Sequence, residues 1–308
     1  MARQYPYVTV DVFTDRAFTG NPLAVVTDAS GLTRDEMQAI AAEFNYSEST
    51  FVLPPDDPAH TARVRIFTRQ NELPFAGHPN VGTAFVLALA AERRGAAVGS
   101  TVLFEESAGL VPVEVLREAD GRVVGATLTA PQPLTIGRTI PADVVARCAG
   151  LTPAAIRTST HEPVIASVGL PFIITEVASD AIGAALPDAT AFAGAARRFP
   201  PESGRFSIFL YARPVGGTGN AEFRARMFSP LGGTVEDPAT GSANGALVAF
   251  LSSLDPAADA LLSFTVVQGV EMGRRSVLQV SAEKHGGSIV SVRVGGQCAP
   301  VMAGTLVV

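Results

Sequence analysis

The chain has 308 residues, of which 47% are hydrophobic and 17% charged, and its formal net charge is −6. This length is about twice that of a typical single domain, so it predicts two domains with sizeable cores. The acidic balance, with a pI near 5.3, argues against a nucleic-acid-binding surface. Neither a membrane span nor a signal peptide is expected, which makes the cytoplasm the expected location. The two cysteines, Cys148 and Cys298, are too few for a metal cluster or a disulfide framework, and we expect buried thiols.

Short β-rich runs alternate with helices in the N-terminal part of the chain. Strands are predicted at 8–13, 22–26, 50–53 and 62–67. Thr33, followed three residues later by Glu36, has the capping-box spacing that begins an amphipathic helix. A polar loop after the fourth strand leads into a helix predicted over 79–93, and β-rich segments follow near residues 101, 110 and 123.

The second half of the chain has a similar order. Helices are predicted over 142–147, 188–198 and 244–253, with strands after Gly169 and in the segments RFSIFLYA and AEFRARMF. The last segment, 263–308, alternates as strands do, with glycine turns expected at 286–287 and 295–296. The APQP segment marks the expected boundary between domains 1–130 and 131–308, and the strands near 290–308 are candidates for packing back on the first domain.

Two segments of the chain repeat each other. GHPN at 77–80 and GSAN at 241–244 each lead into an alanine-rich helix, and the shift of 164 residues also pairs Glu72 with Glu236. The first turn of a helix carries unpaired N–H groups and partial positive charge, so it can hold an anion. The repeat therefore predicts two similar lobes, each a mixed or antiparallel sheet around one helix. Pseudo-twofold packing would direct both helix starts into one cleft.

Three side chains are candidates for chemistry, and each has a structural alternative. Glu48 stands at the beginning of an apolar strand, as either a solvated carboxylate or a general base whose pKa is raised by partial burial. His78 is either a histidine at the edge of the core or a neutral hydrogen-bond donor at a helix start. Asp237, before Pro238, is either a turn-forming residue or an acid–base group.

The repeated glutamates are expected to have a structural role, bonding to loop N–H groups, because both halves of the chain carry them. The backbone amides near Gly77 and the Gly241–Ser242 pair are the candidates for anion binding. The sequence contains no Walker A, H-E-x-x-H, G-x-S-x-G or G-x-G-x-x-G motif. Metal, ATP and nicotinamide roles therefore find no support, and no cofactor is expected.

Four segments together carry a family resemblance: DVFTDRAFTGNPLAVV, NYSESTFV, ELPFAGHPNVGTAFVL and EDPATGSANG. They resemble the phenazine-biosynthesis PhzF-like family of isomerases. The resemblance implies an α+β fold similar to that of diaminopimelate epimerase, in which two pseudosymmetric lobes each wrap a mixed or antiparallel sheet around a central helix. It also implies an active site between the lobes, a homodimer and no cofactor.

The resemblance also implies residue roles and a substrate class. In the characterised isomerase of the family, a glutamate shuttles a proton between carbons of a dihydro-hydroxyanthranilate, and that role falls on Glu48. His78 and Asp237 become supporting acid–base groups. The residues expected to bind the substrate are Ser47, Gly77, Gly241, Ser242 and Asn21. The expected substrate is a small unsaturated carboxylic acid, with a cyclic one favoured.

Two other functions stay open from the sequence. Diaminopimelate epimerases and proline racemases of this fold use a cysteine at each central-helix start, where this chain has His78 and the Gly241–Ser242 pair. A two-thiol racemase is therefore not expected, although a racemase or epimerase could use His78 or Asp237 as its second base. The third possibility is a small-molecule-binding protein that has lost its chemistry.

Overall fold

The computed structural model describes residues 2–96, 99–201, 206–214 and 222–308. The chain divides into two compact units. The first runs to Thr129 and includes Gly295–Val308, and the second is Ala130–Val294. Both units are α+β and rich in sheet. Among the described residues, no helix is long and apolar enough to cross a bilayer.

The first unit contains a mixed sheet. Its strands are β1 (Gln4–Val12), β2 (Asn21–Val26), β3 (Glu48–Leu53), β4 (Ala62–Thr68), β5 (Glu72–Leu73), β6 (Thr101–Glu106), β7 (Gly109–Arg117) and β8 (Val123–Thr129). Most neighbours pair antiparallel, whereas β2 with β3 and β4 with β6 are parallel. The order of strands expected from the sequence is confirmed, except that the two-residue strand β5 lies where a loop was expected.

Two helices complete the first unit: α1 (Arg34–Phe44) and α2 (Gly77–Arg93). The expected capping box is confirmed, since the Thr33 hydroxyl accepts from the Glu36 N–H and the Glu36 carboxylate accepts from the Thr33 N–H. Helix α1 covers one face of the sheet with Met37 and Ala41. Helix α2 is buried along most of its length and packs against β1, β2, β3, β7 and β8, which makes it the central helix of this unit.

The second unit has a related order of elements. These are β9 (Thr135–Thr139), α3 (Ala142–Cys148), β10 (Val164–Ser167), β11 (Pro171–Glu176), α4 (Ala189–Arg198), β12 (Ile208–Ala212), β13 (Glu222–Ser229), β14 (Thr234–Asp237), α5 (Gly241–Leu254), β15 (Ala260–Gln268) and β16 (Ser276–His285). The last strand, β17 (Ser288–Val307), begins in the second unit, and its residues from Gly295 on belong to the first. Strands β11 with β12 and β13 with β15 are parallel, as at the corresponding places of the first unit. Helix α5 packs against β10, β11, β15 and β16 and is the central helix here.

One sequence expectation about the C-terminal strands is wrong. The turn at 286–287 is present, but Gly295 and Gly296 lie inside the continuous strand β17. A Cβ atom on Gly295 would collide with the Thr127 side chain, and one on Gly125 would collide with the Gly296 carbonyl oxygen. These glycines therefore permit the close approach of β8 and β17 and do not turn the chain. The sequence also gave no indication of β9, an edge strand whose residues are all exposed.

Candidate active site

The start of α2 lies two residues earlier than expected, at Gly77. Its first N–H groups thus belong to Gly77 and His78, and no side chain among the described residues caps the N-cap position, Ala76. Pro79 has no N–H to offer. The result is a helix start with partial positive charge and with N–H donors that no side chain caps, as an anion site requires.

His78 is held at this helix start as a neutral imidazole. Only 6% of the residue is exposed, and burial lowers its pKa to about 3. Its Nε2 atom lies 3.7 Å from Oε2 of Glu48, so this contact joins a neutral ring and a carboxyl group and is not an ion pair. Nε2 is buried and has no hydrogen-bond partner among the described residues.

Asn21 and Ser47 lie on the Nδ1 side of the His78 ring. The Ser47 hydroxyl donates to Oδ1 of Asn21 over 3.1 Å, and the amide Nδ2 lies 3.5 Å from Nδ1 of His78. With this orientation of the amide, Nδ1 is assigned as the acceptor and the ring proton is assigned to Nε2. The buried Nε2–H therefore points towards the Glu48 carboxyl group.

Glu48 is the first residue of β3. Its backbone position is fixed by the strands on either side of β3, because Glu48 pairs with Leu23 of β2 and with Thr68 of β4. Its side chain is 17% exposed. A carboxyl group in this setting is partly shielded from water, yet it can still be reached, which suits a group that accepts and returns a proton.

In the second unit, α5 begins at Gly241, three residues before the expected start at Asn244. Asp237, the last residue of β14, is 8% exposed and accepts a 2.6 Å hydrogen bond at Oδ2 from the Thr240 hydroxyl. Thr240 is the N-cap residue, but its hydroxyl is used in this way and makes no capping bond to the helix. The first amides of α5, including those of Gly241 and Ser242, therefore lack a side-chain cap.

A residue that sequence reasoning missed organises this second helix start. Gln268, the last residue of β15, is 1% exposed. Its Nε2 donates to the Asp237 carbonyl oxygen (2.8 Å), and its Oε1 accepts from the Thr240 N–H (3.1 Å) and from Nδ2 of Asn244 (3.0 Å). One neutral amide thus joins the end of a strand, the N-cap and the first turn of α5.

Among the described residues, the repeated glutamates bond to arginines and not to the loop N–H groups that the sequence suggested. Glu236 forms a bidentate pair with Arg226, with both N···O distances at 2.8 Å. Glu72 forms the same pair with Arg65, at 2.7 and 2.8 Å, and also contacts Arg34. Each pair holds the segment before a central helix in place, because two N–H groups of the planar guanidinium bond to the two oxygens of the carboxylate.

The thiols lie away from both helix starts in the sequence and are poorly suited to act as bases. Cys148 and Cys298 are free and buried, and burial raises their pKa values to about 11 and about 12. Within the part of the chain that the structure describes, no group of three or more histidine, cysteine, aspartate or glutamate side chains could hold a metal ion.

Comparisons with known proteins identify the family of the chain and agree with its fold. The model of the phenazine biosynthesis-like protein family, PhzC-PhzF, matches residues 10–304. The chain is 38% identical to an uncharacterised isomerase of Mesorhizobium japonicum and 37% identical to the trans-2,3-dihydro-3-hydroxyanthranilate isomerase of Pseudomonas aeruginosa, in each case over 97% of this chain and 98% of the relative.

A solved structure shows the same fold. The phenazine biosynthesis protein of the PhzF family from Bacillus anthracis has a TM-score of 0.84 at 23% identity, with 99% of this chain and 100% of that chain covered. Together with the named relatives, this fold defines the protein as an isomerase. More particularly, the chain belongs to the PhzC-PhzF, phenazine biosynthesis-like family.

Proposed function

We propose that this isomerase moves a proton between two carbons of a small unsaturated carboxylic acid, with a cyclic acid favoured, and that it does so without a cofactor. The carboxyl group of Glu48, 3.7 Å from the buried and unpartnered Nε2 of His78, is the observation that carries the proposal. The relative from Pseudomonas aeruginosa, which bears the name of a dihydro-hydroxyanthranilate isomerase, supports the substrate class.

The proposed reaction begins with Glu48 as a base. It removes a proton from a carbon next to the conjugated system, the double bond shifts, and the protonated Glu48 returns the proton to another carbon. One C–H bond is broken and one is formed, so atoms and electrons balance. The same side chain acts first as base and then as acid.

A free glutamate, with a pKa of about 4.3, is a weak base towards carbon. The site must therefore stabilise the negative charge that develops on the substrate. The Nε2–H of His78 and the open amides at the start of α2 are fixed donors for this purpose. A preorganised donor of this kind can contribute roughly 3 kcal/mol to the transition state.

We further propose that the two units are pseudosymmetric lobes, as the sequence repeat suggests, and that residues of the second unit also bind the substrate. In this proposal the amides of Gly241 and Ser242 bind the substrate carboxylate from the second unit, and Asp237 acts as an acid–base or polar group. The open N-terminus of α5 and the hydrogen-bonded position of Asp237 support these roles.

The alternative racemase or epimerase would need a second base besides Glu48, which only His78 or Asp237 could supply. His78 is poorly suited to this, because its neutral ring has a pKa of about 3 and presents a donor at Nε2. The second unit has no carboxylate at the corresponding strand start. Ser207, directly before β12, lies there, and its hydroxyl bonds to that of Ser229 over 2.8 Å.

The proposal can be tested by incubating the protein in deuterated water with cyclic and acyclic unsaturated carboxylic acids, including trans-2,3-dihydro-3-hydroxyanthranilate. Nuclear magnetic resonance should show a displaced double bond and deuterium at a new carbon for at least one acid. Inverted configuration without a displaced double bond would indicate an epimerase. Binding without any isotope exchange would indicate a binding protein.

A further inference from the structure

Glu106, a carboxyl group that the proposed mechanism does not use, is the last residue of strand β6. Strand β6 runs parallel to β4, as β15 runs parallel to β13 in the second unit. The residue before each strand end pairs with the corresponding arginine of the neighbouring strand: Glu105 with Arg63, and Val267 with Arg224. Glu106 therefore occupies in the first unit the place that Gln268 occupies in the second.

An asparagine in the first turn of the central helix lies beside each of these two residues. Asn244 donates from Nδ2 to the Thr240 carbonyl oxygen (3.0 Å) and to Oε1 of Gln268 (3.0 Å). Its repeat partner, Asn80, donates to the Ala76 carbonyl oxygen over 3.1 Å and lies beside the Glu106 carboxyl group. The two helix starts thus share one arrangement, with a glutamine in one unit and a glutamic acid in the other.

The surroundings of Glu106 disfavour a negative charge. Both carboxyl oxygens are buried, and although the Asn80 amide lies close enough to lower the pKa a little, neither oxygen completes a well-aligned hydrogen bond with a described residue. Burial outweighs that contact and raises the pKa to about 8. A carboxylate only accepts hydrogen bonds, whereas a protonated carboxyl group has a donor and an acceptor, as the Gln268 amide has.

No charged group on the described neighbouring elements offsets the effect of burial on the pKa of Glu106. In the first turns of α2 the titratable side chain is His78, which is neutral, and 109–113 of β7 has none. On β4, Arg63 is bonded to Asp56, and Arg65 is bonded to Glu72 of β5. The neighbouring Glu105 is bonded to His60 and to the N–H groups of Asp56 and Asp57.

We propose that protonated Glu106 is a positioning residue that holds the start of α2, as Gln268 holds the start of α5. This role rests on the proposed function, because the start of α2 presents Gly77 and His78. Loss of the proton would remove the donor and place a negative charge beside the helix start that is proposed to face the substrate.

The test uses Glu106→Gln, Glu106→Leu and, as a matched control on the exposed surface of α1, Glu43→Gln. The first readout is urea unfolding of the full chain between pH 5.5 and 7.5. Since the native state keeps a proton that the unfolded chain releases, the unfolding constant of the wild type should rise relative to Glu106→Gln by about tenfold per pH unit. The control should follow the wild type. A ratio that does not change with pH would overturn the proposal.

Two further readouts separate positioning from simple packing. Infrared difference spectra of wild type against Glu106→Gln at pH 7 should contain the carbonyl band of a protonated carboxyl group. Amide hydrogen exchange at the start of α2 should accelerate at least tenfold in Glu106→Leu and return to the wild-type rate in Glu106→Gln. An ionised carboxyl band, or unchanged exchange in Glu106→Leu, would refute the role. No readout needs a substrate, so failure here is distinguishable from failure of the isomerase proposal.

Discussion

Replacing His78 with glutamine tests whether the imidazole next to Glu48 is neutral in the folded protein. Burial lowers the pKa of His78 from an ordinary value of 6.5 to about 3. Between these values the unfolded chain binds a proton that the native state does not. The stability that His78 contributes is therefore fully present above pH 6.5 and is lost as the pH falls towards 3.

The magnitude follows from the same difference in pKa. Each pH unit within the window costs about 1.4 kcal/mol of unfolding free energy. When the pH falls from 7.5 to 5.0, about 1.5 units of the change lie below the ordinary pKa of 6.5. The effect of His78 alone should therefore reduce the stability of the wild type by about 2 kcal/mol. In His78→Gln this loss is absent, because glutamine does not titrate.

The assay is urea unfolding of both proteins at several pH values, followed by far-ultraviolet circular dichroism because the chain has no tryptophan. His161, whose pKa burial also lowers, titrates in both proteins and cancels in the difference. The stability difference between His78→Gln and the wild type should shift by about 2 kcal/mol over this range. Parallel pH curves would show that His78 titrates normally in the native state, and a shift of the opposite sign above pH 6.5 would show that it is charged there.

The other predictions concern the paired arginines and the thiols. Arg226→Met should cost about 3–5 kcal/mol of stability in chemical unfolding, since it leaves Glu236 charged and poorly compensated in a site where the arginine side chain is 4% exposed. Arg65→Met should cost only about 1 kcal/mol, because Arg65 is 26% exposed; equal losses would contradict this comparison. Cys148 and Cys298 should remain unmodified by iodoacetamide in the native protein at pH 7.5, as measured by mass spectrometry, because burial raises their pKa values to about 11 and about 12. Rapid alkylation with loss of isomerisation would point to thiol catalysis.

The local signals in the sequence were sufficient for several elements. The Thr33 capping box acts within four residues, so it was readable without tertiary information. The repeat also reveals both helix starts, but it predicts them two or three residues too late, because a glycine before a helix usually marks a break in the chain. Thr240 at the N-cap position was the available signal for a start at Gly241.

The side chains that hold the helix starts through tertiary contacts could not be found from local patterns. Glu106 and Gln268 reach the helix starts through parallel strand pairing, and the residues around them, FEES and VVQG, share no visible pattern. The partners of Glu72 and Glu236 come from preceding strands and were equally hidden. Gly295 was misjudged because a glycine that permits strand contact and a glycine that permits a turn look alike in one sequence.

The central claim, that the Glu48 carboxyl group carries the proton, is tested most directly by the rate of solvent deuterium incorporation in Glu48→Gln. The variant keeps the shape and the neutral hydrogen-bonding capacity of the side chain but cannot accept a proton from carbon. Glu43→Gln, on the exposed surface of α1, is the matched control. We expect exchange into a turned-over acid to vanish in Glu48→Gln while the control exchanges at the wild-type rate and both bind the acid. Undiminished exchange in Glu48→Gln would contradict the account.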